Sequence, residues 1–400
     1  MNDKQTGATK DDPLSKLRFE FLSRVVSIFP PSRTCSVLLI THLLRDRPEF
    51  VRVLANSYRL AGIVAIPYSI ERTVYDLLSQ SYKIHTFTLD EMLQGQVLLQ
   101  LVESALSSGH EPLVVIEIGG YFASIGNMLK QRFGAAYLGS VEDTEEGHRR
   151  YEHVSAPLFP VVSVARSRLK RLEDRLIGGS VVFSLERVLR SLGQVLSGMT
   201  VGVLGYGPIG ASVANAAATR SANVLVYDTS SNRRVAALAD GFRIPDRETL
   251  FRETDILVGA TGTQSISAFD FDLLKNGVVL ASASSKAIEI DVQGLTAAAS
   301  ETTIGPLGSK RFRVNGKLVY LIAGGTPINF LDGAVVGPVI SLVHAEVLVA
   351  ARMLLGAGEQ RGILEVSFED QERLATIWLE YFVDREASGT LMPSFAFPRE

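Results

Sequence analysis

Apolar runs and amphipathic segments alternate along the first third of the chain. Four apolar runs have the length of buried strands and cover residues 36–41, 62–67, 83–88 and 113–116. The segments between them carry apolar residues at helical spacing and cover residues 48–58, 71–79 and 91–107. Strands that alternate with helices predict a parallel sheet covered on both faces, so ligands are expected beyond the carboxyl ends of its strands.

The middle of the chain contains an apolar strand that runs into a Gly-x-Gly-x-x-Gly pattern, within residues 201–210. In such a turn Gly205 permits the tight bend, Gly207 lets the backbone approach a pyrophosphate, and Gly210 lets the helix pack closely on the strand. The pattern alone is weak evidence, and its interpretation depends on the elements around it.

The residues after the glycines supply that context. A helical run covers residues 211–219, a second strand covers residues 223–227, and Asp228 ends this strand. Pro208 and Ile209 stand at the helix start, where free N–H groups and the positive end of the helix dipole can face phosphates. Asp228 stands where a carboxylate accepts hydrogen bonds from the adenosine ribose. The whole unit predicts a bound dinucleotide.

Asp228 also bears on which dinucleotide binds. Its carboxylate would repel a 2′-phosphate, which favours NAD over NADP. Arg233 and Arg234 follow closely and offer the opposite possibility, since guanidinium groups can hold that phosphate. The other interpretation of these arginines is a solvated first helical turn. We therefore expect NAD.

Further apolar strands, an amphipathic helix and a long apolar helix complete the pattern. The strands are predicted at residues 255–260, 277–280 and 318–323, and the helices at residues 180–196 and 338–355. This order predicts an α/β fold with two doubly wound parallel-sheet domains, in which a Rossmann NAD-binding domain is inserted into a substrate-binding domain. The predicted divisions are a disordered arm at residues 1–15, the substrate domain at residues 16–180 and 338–400, and the NAD-binding domain at residues 181–337.

Composition and charge exclude several classes of protein. Hydrophobic residues make up 46% and charged residues 21% of the chain, which is typical of a soluble globular protein. A formal net charge of −3 gives no electrostatic reason to expect nucleic acid or an anionic membrane as a partner. A single cysteine, Cys35, excludes an internal disulfide and fits a reducing, cytoplasmic location. Neither a C-x-x-C pair nor clustered histidines suggests a metal site.

Four motifs share one family likeness. They are Gly205–Gly210, Ala260-Thr261-Gly262, Ile288-Glu289-Ile290-Asp291 and Ile328-Asn329-Phe330. Together they resemble S-adenosylhomocysteine hydrolases, and the resemblance runs over residues 33–355, including the order of the domains. It implies that Thr261, Gly262 and Asn329 contact NAD, with Asn329 near the nicotinamide. It also implies a homo-oligomer, because the family forms tetramers and the returning helix could support a dimer.

The resemblance further implies a chemistry for residues outside the dinucleotide motif. In the family, tightly held NAD oxidises the ribose 3′-hydroxyl, the thiol leaves by elimination, water adds and the hydride returns. Lys170 and Asp174 match the lysine and aspartate that bind the oxidised diol. Four residues apart, they share one helical face, and desolvation can lower the pKa of a lysine enough to make it a base. The alternative is a surface ion pair in the basic stretch at residues 166–175.

Other positions depart from the family. Ile118 stands where a catalytic carboxylate is expected, and Asp143 replaces a substrate-binding glutamate with a shorter acid. Thr144 is the one that remains of three NAD-contacting threonines. Two family histidines are also missing, one at Ser285 and the other just before Pro338.

Three titratable residues remain, namely His42, Lys286 and His344. Each is either a candidate to replace a missing group or has a structural explanation. His42 comes one residue after the position of the first-domain histidine, and a one-residue slip on a strand turns a side chain to the opposite face. His42 is a candidate base, and a capping or packing histidine is the alternative. Lys286 is a candidate general acid, with a solvated lysine as the alternative. We interpret His344 as a core histidine.

These observations support three functions. The first is an NAD-dependent enzyme that oxidises a secondary hydroxyl of a nucleoside- or sugar-like small molecule, with an altered substrate that suits a specialised biosynthetic pathway. The second is a genuine adenosylhomocysteinase with substituted proton relays, and the third is a non-catalytic NAD-binding protein. A hydroxy-acid dehydrogenase is disfavoured because no histidine lies between Gly198 and His344.

Overall fold

The computed structural model describes residues 12–109, 111–284 and 287–384. Its strands, in chain order, are β1 (Ser36–Leu43), β2 (Arg59–Ile70), β3 (Ile84–Thr86), β4 (Leu113–Glu117), β5 (Tyr137–Glu142), β6 (Pro160–Ser163), β7 (Thr200–Leu204), β8 (Asn223–Tyr227), β9 (Ile256–Gly259), β10 (Val278–Ser282), β11 (Ala299–Ile304), β12 (Lys310–Val314), β13 (Lys317–Leu321) and β14 (Gly362–Leu364). Each predicted strand is present, with shifted ends.

The α-helices follow the same alternation. In chain order they are α1 (Pro13–Ile28), α2 (Arg47–Ser57), α3 (Arg72–Ser79), α4 (Leu89–Gln94), α5 (Gln96–Ser107), α6 (Gly126–Phe133), α7 (Glu145–Glu152), α8 (Arg168–Ser191), α9 (Pro208–Ala218), α10 (Ser231–Ala239), α11 (Arg247–Glu253), α12 (Val292–Ala298), α13 (Ile340–Leu355) and α14 (Phe368–Phe382). The helix predicted at residues 91–107 is two helices, because Gly95 adopts a left-handed conformation with φ +76°.

The chain divides into two compact units. Unit 1 comprises residues 1–171 and 337–400, and unit 2 comprises residues 172–336. The first division falls inside α8, nine residues or so earlier than the sequence-based boundary, because α8 begins at Arg168 rather than at residue 180. The early start has a local cause, since the Ser167 hydroxyl accepts the Lys170 N–H at 3.0 Å and caps the helix.

Unit 1 is built on one seven-stranded sheet in the order β14-β6-β5-β4-β1-β2-β3, and all its paired strands are parallel. The chain moves outward from β1 in one direction and then from β4 in the other. The carboxyl ends of β1 and β4 therefore flank the point where the strand order reverses, which is where ligands bind in such sheets.

Unit 2 carries a second seven-stranded sheet in the order β11-β12-β13-β10-β9-β7-β8. Strands β13, β10, β9, β7 and β8 are parallel, whereas β12 is antiparallel to both β11 and β13. The predicted doubly wound parallel sheet is thus confirmed, and an antiparallel hairpin extends it at this edge. The order reverses between β7 and β9, so the turns after these two strands border the crevice of unit 2.

The ends of the chain also differ from the sequence-based expectation. The predicted arm at residues 1–15 lies outside the described residues up to residue 11. Its last residues are helical, because α1 begins at Pro13 and the Asp12 side chain accepts the N–H groups of Leu14 and Ser15.

Helix α13 forms part of the interior of unit 1. All but two of its residues are buried, as the apolar pattern of residues 338–355 predicts. The stretch Gly337–Leu355 is long and apolar enough to cross a membrane, but 83% of its most apolar window is buried within the protein. A helix covered to that extent is a core helix.

Candidate functional site

The crevice of unit 2 begins at the turn after β7. Gly205 has φ +92°, a conformation that side-chain-bearing residues rarely adopt. A Cβ at this position would lie 2.7 Å from the carbonyl oxygen of Ala260, which follows β9. Glycine is therefore required here, because the two turns that border the crevice touch each other.

The two remaining glycines of the motif have different surroundings. A Cβ on Gly210 would lie 1.9 Å from the Gly205 carbonyl oxygen, so α9 packs on the turn without room for a side chain. A Cβ on Gly207 would meet nothing closer than the Arg233 guanidinium at 3.9 Å. Gly207 is thus not needed for packing within the protein. It leaves open backbone at the start of α9, whose N-cap receives no side-chain hydrogen bond.

Asp228 lies immediately after β8 and is buried. Its carboxylate accepts the N–H of Tyr206 at 2.7 Å and that of Ser230 at 2.7 Å. Arg233 lies 3.6 Å from the same carboxylate. Asp228 therefore joins the glycine turn to the end of β8, and Arg233 contacts it from the first turn of α10 with its own side chain exposed.

A buried glutamate that sequence reasoning did not assign to the site organises the turn after β9. Glu289 is fully buried and accepts the N–H groups of Thr261 at 2.6 Å and Gly262 at 2.7 Å. Its second oxygen accepts the hydroxyls of Thr261 and Ser265. The motif around Glu289 was visible in the sequence, but its role as an anchor needed the structure.

The arrangement fits a bound dinucleotide. Asn329 is buried, and its side-chain carbonyl oxygen has no hydrogen-bond partner within the part of the chain that the structure describes. Buried polar atoms are nearly always paired, so this oxygen indicates a polar ligand. The open backbone at Gly207, the uncapped start of α9 and the Asp228 carboxylate would hold the pyrophosphate and ribose. Lys286, the predicted general acid, lies outside the described residues.

In unit 1 the turn after β4 is held by two buried carboxylates. Glu117 and Glu142 are paired across β4 and β5, and both are fully buried. Glu117 accepts the N–H of Tyr121 at 2.6 Å, and Glu142 accepts the N–H of Gly120 at 2.8 Å. These carboxylates therefore shape the turn at the edge where a substrate would bind. Sequence reasoning missed both, although each stands at the end of an apolar strand.

The structure gives Thr144 a different role from the predicted contact with NAD. Its hydroxyl donates to Glu142 at 2.6 Å and accepts the N–H groups of Gly119 at 2.9 Å and Gly147 at 3.1 Å. A hydroxyl has one donor and two acceptor positions, so all of them are used within unit 1. Asp143 is half-buried beside it, and its charge adds to the forces that raise the pKa of Glu142.

The glutamate pair makes stability depend on pH. Burial raises the pKa of Glu117 to about 7, and burial together with the charge of Glu117 raises the pKa of Glu142. The folded protein then binds protons that the unfolded chain releases near pH 4.5. This contribution to stability is complete below that pH and is lost as the pH rises through about 7.

We expect Glu117→Gln to remove part of this dependence. The stability difference between wild type and variant should shrink as the pH rises from 4.5 to 7, by up to about 1.4 kcal/mol per pH unit. Denaturant unfolding at several pH values measures it, and Glu380→Gln at an exposed position of α14 is the control. A difference that stays constant with pH would contradict the assignment.

His42 lies at an irregularity of β1. The strand pairs Thr41 with Ala65 but Leu43 with Ile70, so regular pairing with β2 is interrupted at His42. Its Nδ1 lies 2.5 Å from the Ser69 hydroxyl oxygen. Burial, and after it the charges of Arg47 and Lys170, hold the pKa of His42 well below its usual value. His42 is therefore neutral, and its role as a base stays a prediction.

His344 is a packed core residue, as its sequence context predicts. It accepts a hydrogen bond from Arg47 and stacks on Phe50, with ring centroids 4.7 Å apart. Burial, then the charges of Arg47, Arg18 and Lys170, hold its pKa well below the usual value.

Lys170 connects these groups electrostatically. Its charge lowers the pKa of His42, of His344 and of Glu346 on α13, where burial is the largest influence in each case. Unit 1 thus brings Lys170 close to three buried titratable groups. Asp174 lies one turn further along α8 and is half-buried, and its contact with a diol stays a prediction.

The fold and the crevice of unit 2 define a dinucleotide-binding α/β protein. Residues 174–335 match the model of the S-adenosyl-L-homocysteine hydrolase NAD-binding domain, so unit 2 is an NAD-binding domain. Over these residues the chain is similar to the S-adenosylhomocysteine hydrolase family.

Several known proteins are similar to the chain. It is 29% identical to an S-inosyl-L-homocysteine hydrolase of Methanopyrus kandleri, over 70% of this chain and 68% of that protein. It is 30% identical to an adenosylhomocysteinase of Sulfolobus acidocaldarius, over 56% of this chain and 54% of that protein. The match therefore spans about half to two thirds of these relatives. A phosphoglycerate oxidoreductase of Vibrio cholerae is 14% identical, with a TM-score of 0.39, over 66% of this chain and 79% of that one.

The buried Asp228 carboxylate leads to a prediction about cofactor choice. We expect NAD to bind at least about tenfold more tightly than NADP, because a 2′-phosphate would face this carboxylate. Asp228→Ser should narrow the ratio, and Arg233, now released from its partner, should help to bind the phosphate. Calorimetric titration with each dinucleotide measures the ratio, and Asp272→Ser, at an exposed position of unit 2, is a control. Equal binding of both dinucleotides by wild type would contradict the prediction.

Proposed function

We propose that the protein is an NAD-dependent enzyme that oxidises a secondary hydroxyl of a nucleoside- or sugar-like small molecule other than S-adenosylhomocysteine. The observation that carries this proposal is the contact of the Ser167 hydroxyl with both the Lys170 N–H and Glu346, in a chain whose second unit binds NAD. The charge of Lys170 also acts on His42, His344 and Glu346. A lysine in a solvated basic stretch would be screened from buried groups.

The residues of unit 1 suit proton transfer from an alcohol. When bound, NAD supplies the acceptor for the hydride that leaves the alcohol carbon. Lys170 would contact the hydroxyl and, in its neutral form, take its proton. His42 is neutral because burial and two positive neighbours lower its pKa, so it would accept or relay a proton. Asp174 would hold the adjacent hydroxyl of a diol.

An altered substrate is supported by what the turn after β4 contains. Ile118 replaces the expected carboxylate, is 8% exposed and packs in the apolar core of unit 1. The neighbouring Glu117 and Glu142 carboxylates are occupied by backbone N–H groups of the same turn. We therefore infer that neither glutamate replaces the catalytic carboxylate expected at Ile118. A missing general base costs roughly 10²- to 10⁴-fold in rate, which disfavours efficient elimination of a thiol.

The names of the relatives bear on the kind of substrate. One relative is an S-inosyl-L-homocysteine hydrolase and another is an adenosylhomocysteinase, so proteins similar to this chain differ in the base they accept. This variation supports a nucleoside-like substrate whose base is not fixed by the family.

Two measurements on the purified protein test the proposal. Mass spectrometry of small molecules released by denaturation shows whether NAD and a bound alcohol or ketone copurify. Incubation with NAD and a panel of nucleosides, sugars, S-adenosylhomocysteine and S-inosylhomocysteine, followed by the absorbance of reduced nicotinamide, shows which hydroxyl is oxidised. Reduction by a nucleoside or sugar without thiol release supports the proposal.

The other outcomes overturn it in favour of a named alternative. Release of adenosine from S-adenosylhomocysteine at an ordinary enzymatic rate would identify a genuine adenosylhomocysteinase. Bound NAD that no alcohol in the panel reduces would identify a non-catalytic NAD-binding protein.

We also propose that the protein is a cytoplasmic homo-oligomer, a dimer or tetramer, whose partner is a small molecule rather than nucleic acid or membrane. Light scattering during size-exclusion chromatography measures the oligomeric state, and a monomer at micromolar concentration would overturn that part.

A further inference from the structure

We propose that Glu346 on α13 is a positioning residue that pairs with Lys170 and orients the first turn of α8. This inference deepens the proposed function and rests on it for its catalytic meaning. The structural pairing can be tested without any substrate.

Glu346 carries a buried carboxylate oxygen that makes no hydrogen bond to a described residue. Glu346 is fully buried in a helix whose other residues are mostly apolar. One of its carboxylate oxygens, Oε1, is buried and has no hydrogen-bond partner among the described residues. An unpaired oxygen of this kind costs free energy, so a carboxylate at this position needs a reason beyond packing.

A chain of contacts joins Glu346 to the helix that carries Lys170. The Ser167 hydroxyl donates to Glu346 Oε2 at 2.6 Å, and the same hydroxyl accepts the Lys170 N–H at 3.0 Å. Ser167 is therefore fixed by Glu346 while it caps α8. When Glu346 is ionised, its negative charge near the N-terminus of α8 also interacts favourably with the helix dipole.

Glu346 also interacts electrostatically with Lys170. Burial raises the pKa of Glu346 to about 8, the Ser167 hydrogen bond and the charge of Lys170 lower it, and Glu365 raises it. Lys170 and Glu365 are the charged groups whose effect on Glu346 is resolved. On the same helix, His344 faces Arg18 of α1 and Arg47 of α2. The Glu346 carboxylate is thus within electrostatic reach of the Lys170 ammonium and, when ionised, favours the protonated form of Lys170.

In the proposed reaction this pairing has a defined use. A proton that moves from a substrate hydroxyl to neutral Lys170 creates an ammonium, and an ionised Glu346 stabilises it. The reverse transfer is favoured when Glu346 is protonated. Glu346 would act through Lys170 and would not itself contact the reacting atoms.

The test is a titration of Lys170 in the full chain without substrate. Reductive methylation with ¹³C-formaldehyde labels the lysines, and the signal missing from Lys170→Arg identifies Lys170. In wild type we expect the Lys170 signal to show an inflection near pH 8 from Glu346, absent from the signal of exposed Lys83. In Glu346→Gln the inflection disappears and the midpoint of the Lys170 titration falls by about one pH unit.

Each result has one meaning. Glu365→Gln is the matched control, because it removes an exposed carboxylate of the same unit, and its midpoint should change less than that of Glu346→Gln. A wild-type signal without the inflection overturns the proposal, even if Glu346→Gln does not fold. An unchanged midpoint in folded Glu346→Gln also overturns it. If oxidation of a substrate is measured, Glu346→Gln should shift its pH profile, whereas failure to find a substrate affects only the proposed function.

Discussion

Replacing Gly207 with alanine is expected to leave the protein folded and to weaken NAD binding at least about tenfold. The added Cβ would meet no protein atom closer than the Arg233 guanidinium at 3.9 Å, so the native packing tolerates it. It would stand where the backbone must approach the pyrophosphate. Calorimetric titration with NAD, together with the thermal unfolding temperature of the unliganded protein, measures both parts.

Two other glycines separate loss of binding from loss of fold. Gly210→Ala places a Cβ 1.9 Å from the Gly205 carbonyl oxygen, so this variant should be destabilised by about 1–3 kcal/mol or more. Gly179→Ala, in α8 with no atom near its Cβ, should be as stable as wild type or more stable, with unchanged NAD binding. Gly207→Ala that binds NAD as tightly as wild type would contradict the assigned pyrophosphate site.

The dinucleotide motif was predictable because its determinants are local. β7, the turn, α9 and β8 follow one another within 28 residues or so of sequence, and each glycine has a steric task that the pattern encodes. Gly205 and Gly210 contact the same short turn. The interactions that form this motif join residues that are close in sequence, so the sequence alone was sufficient to predict it.

The antiparallel edge of unit 2 could also have been predicted. Asn315 and Gly316, with φ of +50° and +77°, join β12 to β13. An Asn-Gly pair between two short strands is a strong hairpin signal. The alternation of strands and helices elsewhere predicts the parallel strands of the sheet but carries no information about this hairpin.

The acid–base groups of unit 1 required the structure. Ser167 and Glu346 contact each other although 179 residues separate them in sequence, and the whole of unit 2 lies between them along the chain. A glutamate in an apolar helix is a visible anomaly, but its partner is not. The contact of Thr144 with NAD stays a prediction for a related reason, since a resemblance carries over a residue type without showing that its hydroxyl donates to Glu142.

Replacing Lys170 is expected to impair the oxidation of the substrate. Lys170→Met should reduce the oxidation of the substrate by about 10²- to 10⁴-fold, which is the usual effect of removing a general base, while NAD binding in unit 2 stays near wild type. Lys170→Arg should be similarly impaired, because a guanidinium keeps the charge but does not give up its proton in proteins. Single-turnover reduction of NAD by the substrate measures the effect, and Lys83→Met, at an exposed position before β3, is the control. If Lys170→Met oxidises the substrate at the wild-type rate, Lys170 is not the base. The alternative from the sequence, a surface ion pair in a basic stretch, would then be the better interpretation.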